Sequence, residues 1–146
     1  MNLKKVIDIL LVEDDAGDVE LTREGLAAGN MFVHLHTVDD GIKALRFLRR
    51  EEPYADAIRP DIILLDLNLP RMDGRGTLKE IKSDERLRSI PVIVLTTSEA
   101  DSDILKCYEL GASCYISKPV GFQEFLKVVR SLEDFWFTIV KMPPKE

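Results

Sequence analysis

The strongest constraint on the fold is a repeated pattern in which short, largely apolar runs alternate with stretches of helical periodicity. The runs are VIDILLV (6–12), FVHLHTV (32–38), DIILLD (61–66), PVIVLT (91–96) and SCYIS (113–117). Between them, apolar residues recur at helical spacing: Val19, Leu21 and Leu26; Ile42, Ala44, Leu45 and Leu48; Leu78 and Ile81. Ile104, Leu105, Tyr108 and Leu110 mark a fourth such stretch, and Phe122 to Phe135 a fifth. A strand wetted on one face alternates apolar with polar residues, so strands apolar along their length are covered on both faces. Strand–helix alternation of this kind predicts a doubly wound α/β domain: five parallel strands with helices on both sides of the sheet. The 146 residues suffice for one such domain, expected to span 1–146. Its core is expected at about 6–135, with an apolar tail over 134–146 and too few residues after the last helix for an output domain.

Charge narrows the function classes. A formal net charge of −6, with lysines and arginines spread along the chain, argues against a nucleic-acid surface, which shows a basic patch. Cys107 and Cys114 have neither metal-ligand spacing nor disulfide density, and read as free thiols of a reducing compartment. The N-terminal MNLKKVIDILLVEDD is interrupted by Asp8 and lacks a cleavage site for a signal peptide. No stretch approaches the ~20 apolar residues of a membrane span. The expected location is the cytoplasm.

The chemistry lies where the strands end. In an open parallel sheet, functional groups gather beyond the carboxyl ends of the strands. The first strand runs into Glu13 and Asp14, the third ends at Asp66, the fourth at Thr96, and the fifth leads to Lys118. Three acids, a hydroxyl and an ammonium thus converge on one rim from separate parts of the chain. Clustered carboxylates repel one another and suit a hard divalent cation, Mg²⁺ above all, which favours one or two carboxylates plus phosphate oxygens. Lys118 and Thr96 would meet a phosphoryl group, and Asp66 could accept it as a nucleophile. Relief of mutual repulsion predicts that removing Asp14 or Asp66 stabilises the metal-free protein.

The segments VEDD, LLDLNLPRMDG, VIVLTTSEA and GASCYISKP, with 30 residues from Asp66 to Thr96 and 22 from there to Lys118, resemble a response-regulator receiver domain over nearly the whole chain. The resemblance implies the flavodoxin-like strand order 2-1-3-4-5. It makes Asp66 the phosphoacceptor. Asp14, Asp66 and the backbone carbonyl of Asn68 become Mg²⁺ ligands, with Glu13 acting through a water. It implies Thr96 as the switch hydroxyl, Thr97 as a backbone contact to the phosphate, Lys118 as its pairing lysine and Tyr115 as the aromatic that follows the switch. A cis Lys118–Pro119 bond is implied too, as is a sensor histidine kinase as phosphodonor. The insertion RREEPYADAIRP (49–60) and the terminal FWFTIVKMP resemble small single-domain regulators paired with bacterial phytochrome kinases.

Other residues have plainer readings. Asp15 caps the first helix, Asp73-Gly74 starts the third, and Gly111 ends the fourth in a left-handed conformation. His34 and His36 alternate with Val33 and Leu35, as on a half-exposed strand. A competing class, aspartate-nucleophile phosphohydrolases, carries a second acid two residues past the nucleophile; Asn68 stands there instead and cannot transfer a proton. The aromatic run Phe135, Trp136, Phe137, with Ile139 and Val140, exceeds what one helix face can bury. It is expected to complete a homodimer surface with helix four, strand five and helix five.

Overall fold

The computed structural model describes residues 6–28, 32–137 and 140–144. Its strands are β1 (Val6–Val12), β2 (Phe32–Val38), β3 (Ile62–Leu65), β4 (Val92–Thr96) and β5 (Cys114–Ser117). The helices are α1 (Ala16–Ala27), α2 (Gly41–Arg49), α3 (Gly74–Ser83), α4 (Asp101–Leu110) and α5 (Phe122–Leu132), the last extended by a π-helical turn at Glu133–Phe137. All the strands pair in parallel, in the order β2-β1-β3-β4-β5. This is the architecture expected from the sequence.

Because successive side chains of a strand point to opposite faces, β1 divides its residues between two cores. Ile7, Ile9 and Leu11 meet Leu26 of α1 and Phe125, Val129 and Leu132 of α5. Leu10 and Val12 meet Ala44, Leu45, Phe47 and Leu48 of α2, Leu78 and Ile81 of α3 and Cys107 of α4. Asp8 falls on the second face, where His34 Nδ1 and His36 Nε2 approach its Oδ1 at 3.3 and 3.4 Å. His36 also packs its ring against Phe47.

Local signals position the helices. Asp15, Asp40 and Asp73 each accept a backbone N–H three residues on, from Asp18, Lys43 and Gly76, and so satisfy otherwise orphaned donors. Gly111 ends α4 at φ 107°, as the sequence suggests. In α4 the apolar spacing misleads: Leu105 and Tyr108 are 61% and 49% exposed, and the residue buried against the sheet is Cys107. No helix among the described residues is long and apolar enough to cross a membrane.

The cis bond expected at Lys118–Pro119 is absent; the cis peptide among the described residues is Glu52–Pro53. Lys118 is aimed inward by another device, since its backbone N–H donates to the Thr96 carbonyl at 2.7 Å and continues the β4–β5 ladder past the last paired residues.

Candidate functional site

The same device fixes each side chain of the carboxyl rim. Glu13 N–H donates to the Val38 carbonyl (3.0 Å) and Asp66 N–H to the Val12 carbonyl (3.1 Å), so both residues sit one step beyond their strands, held by ladder bonds. Thr96 is the last residue of β4 and is fully buried. Strand geometry therefore brings Glu13, Asp66, Thr96 and Lys118 together. Asp14 stands beside them in the open mouth of the site.

The contacts converge on Asp66. Thr96 Oγ1 donates to its Oδ1 at 2.8 Å, the Asn68 amide to the same oxygen at 3.2 Å, and Lys118 Nζ to Oδ2 at 3.1 Å. The ammonium also reaches Glu13 Oε1 and, at 2.9 Å, Asp18 Oδ2. Thr96 thus touches the carboxylate directly. Tyr115 lies farther out, its hydroxyl donating to the Ser98 carbonyl at 2.9 Å. Thr97 is exposed, and Ser98 Oγ donates to Asp103 Oδ2 at 2.6 Å.

The four buried groups share charge unequally. Burial pushes the Glu13 carboxyl up to about 7, against the pull of Lys118. Burial would raise Asp66 too. There the Lys118 charge, with hydrogen bonds from Glu13, Thr96 and Asn68, outweighs it and holds the carboxyl below its ordinary value. Burial would lower Lys118, but hydrogen bonds to Glu13 and Asp18 hold the ammonium above its ordinary value. The strain expected of the acid cluster therefore resides in Glu13. Asp66 is stabilised as an anion by its neighbours, which argues against a gain in stability on its removal from the metal-free protein.

Two contributors escaped the sequence reading. Asp18, in the first turn of α1, is the outer partner of Lys118. Its place three residues past the Asp15 cap, in the turn that follows the acid run, is the signal in the sequence. Gly74 opens α3 directly beneath the Asp66 and Leu67 backbone, where an added Cβ would collide with the Asp66 carbonyl. The sequence shows only a helix start at this place, and the close approach is tertiary.

Among the described residues, Glu13, Asp14 and Asp66 can each offer a ligand atom within 4.8 Å of the others. The donors are all carboxylate oxygens, which suits a hard divalent ion and not a thiophilic one.

Comparison with known proteins decides what this rim belongs to. Residues 9–130 match the response regulator receiver domain family. The chain is a response-regulator receiver. Response regulator Rcp1 of Synechocystis sp. is 42% identical over 135 residues, covering 92% of each chain. The crystal structure of the phosphorylated cyanobacterial phytochrome response regulator RcpA superposes with a TM-score of 0.93 at 44% identity, covering 96% of this chain and all of that one. The Mn²⁺-bound form of Rcp1 superposes with a TM-score of 0.91 at 41% identity, covering 94% and 99% of the two chains. As a receiver, the chain is of the kind that acts as a signalling switch, and divalent-metal binding belongs to that kind.

Proposed function

We propose that this receiver accepts a phosphoryl group from a sensor histidine kinase onto Asp66 and passes the signal on through protein contact. One observation carries the assignment. A buried carboxylate held as an anion has a hydroxyl on one oxygen and an ammonium on the other, and two further acids beside it. Asp14, Asp66 and the Asn68 carbonyl would hold Mg²⁺, with Glu13 acting through a water; bound there, the ion supplies charge neutralisation for an incoming phosphoryl group. Asp66 Oδ2 attacks phosphorus in line, an O–P bond forms, and the P–N bond to the kinase imidazole breaks with its electron pair. Lys118 pairs with the transferred oxygens. The Thr96 hydroxyl, released from Asp66 Oδ1, and the Thr97 backbone N–H donate to them. Transfer of the Thr96 hydroxyl from carboxylate to phosphoryl is the local event that the Tyr115 side chain and the α4–β5–α5 face would follow.

The likeness to RcpA and Rcp1 supports a phytochrome-type kinase as the cytoplasmic partner. Slow loss of the phosphoryl group is supported by Ser98, whose hydroxyl is already engaged by Asp103 and cannot hold an attacking water. A homodimer is supported by an apolar groove of about 350 Å³ on α5, walled by Ile116, Val128, Leu132, Phe135 and Trp136. Trp136 packs partly on the domain's own core while Phe135 is 54% exposed, so the aromatic run is divided between the core and this surface. Ile139 and the side chain of Phe137 fall outside the described residues. Phosphorylation would shift dimerisation by a coupling of about 1–3 kcal/mol.

Mass spectrometry after exposure to Mg²⁺ and a small phosphodonor tests the assignment. One phosphoryl group on Asp66, and none in Asp66→Asn, is expected; equal labelling of the variant ends it. Sedimentation with and without phosphodonor tests the dimer separately.

A further inference from the structure

The far end of the sheet carries a second polar cavity, of opposite sign. Arg49 and Arg50 close α2, Arg59 ends the 49–60 insertion, and Arg86 lies in the loop before β4; with Leu48 and Leu87 they line a cavity of about 210 Å³. Four of the ten arginines of a chain with net charge −6 thus surround one small space. Their compensation is incomplete. Asp84 lies 3.3 Å from Arg49 and 3.8 Å from Arg86, and Glu80 lies 3.8 Å from Arg49. Arg50 and Arg59 pair with no carboxylate among the described residues: Arg50 Nε donates to the Ala57 carbonyl at 2.9 Å, and Arg59 donates to the Arg86 carbonyl and to Ser89 Oγ at 3.0 Å. A guanidinium has five N–H donors, so each retains several for a guest.

The backbone adds a second observation. Arg50 holds φ 55°, the left-handed conformation that glycine or asparagine adopts most cheaply at a helix end. Arg71 holds a similar φ of 65°; at Arg50 the turn leaves the side chain bonded to the Ala57 carbonyl through Nε, with its other N–H groups at the cavity. Clustered guanidinium groups match the oxygens of a phosphate in a way that single lysines do not.

We propose that this cavity binds a small phosphate-type oxyanion: inorganic phosphate, pyrophosphate or the phosphate end of a nucleotide. The insertion that supplies Arg50 and Arg59 thereby acquires a role, on the opposite rim from Asp66.

Titration of the full chain with phosphate, pyrophosphate and ADP, at fixed ionic strength and without divalent cations, tests it by amide chemical shifts and calorimetry. Saturable shifts confined to residues 49–59 and 84–89 are expected, with pyrophosphate tighter than phosphate. ADP tighter than pyrophosphate identifies a nucleotide as the source, and ADP no tighter identifies free phosphates. Arg50→Gly, which suits the backbone, should weaken pyrophosphate about tenfold without lowering the melting temperature. The exposed Arg86→Gln should weaken it as well. Absence of saturable shifts, shifts centred on the Asp66 rim, or affinity unchanged in both variants overturns the proposal.

Discussion

The middle of the sheet and its β5 edge are built to different standards. Every residue of β3 is fully buried, and β4 is nearly so. Every residue of β5 is only half-buried, and α4 beside it buries a single side chain, Cys107. The middle holds Asp66 and Thr96, the groups that meet phosphorus in the proposed reaction. The edge holds Tyr115 and the exposed Leu105 and Tyr108. Close-packed interiors resist displacement, while sparsely packed elements open at low free-energy cost. A switch needs both properties in one domain: a fixed acceptor, and a neighbouring face that small changes in hydrogen bonding can move.

Truncations test the contrast most directly. Ile63→Ala in β3 should cost about 2–5 kcal/mol in denaturant unfolding, whereas Leu105→Ala in α4 should stay within about 0.5 kcal/mol. Similar costs at the two positions would erase the distinction.

A smaller effect of opposite sign is expected from Glu13→Gln. Because its folded-state carboxyl is raised from 4.5 to about 7, ionising Glu13 costs stability progressively between those values. Metal-free wild type should therefore lose stability from pH 4.5 to 7 on this account. The amide should be more stable by about 1–3 kcal/mol at pH 8 and indifferent near pH 4. Asp66→Ala, by contrast, should not stabilise the metal-free protein. Thermal melts of both variants across that range separate buried strain from stabilised charge.

Acid should detach the edge before the middle. Asp103 of α4 donates nothing and accepts from Arg75 Nε at 2.7 Å and from Ser98; these bonds, Arg75's first, hold its carboxyl down at about 2. A depressed carboxyl contributes stability above its unfolded value near 3.8 and loses it as pH falls toward 2. The pair is partly exposed, so its worth is under about 1 kcal/mol. Amide exchange in α4 and β5 should accelerate between pH 4 and 2 ahead of β3, and Arg75→Ala should reproduce this at neutral pH. The most local effect is assigned to Tyr115→Phe, which loses only the bond to Ser98 and should cost about 0.5–1 kcal/mol, visible as faster exchange confined to β5.

Patterning alone determined the strands, their parallel arrangement and the placing of Glu13, Asp14, Asp66, Thr96 and Lys118 on one rim. It could do so because the central strands β3 and β4, buried on both faces, are apolar throughout, so the polar residues that end such runs stand out. The caps at Asp15 and Asp73 and the left-handed Gly111 were legible for a similar reason, being local contacts within a few residues. Tertiary structure decided what depends on proximity between distant segments. It made Asp18 a partner of Lys118 across 100 residues, set Gly74 under the Asp66 backbone, chose Cys107 over Leu105 as the buried face of α4, and gathered four arginines at the opposite rim. It also determined which acid is strained. Glu13 and Asp66 are alike in sequence as strand-end acids and both accept from the Lys118 ammonium; they differ because Asp66 also receives the Thr96 hydroxyl and the Asn68 amide, while burial prevails at Glu13. Ionisation energies are set by desolvation and by the few donors within reach, and those are fixed only when the chain has closed around them.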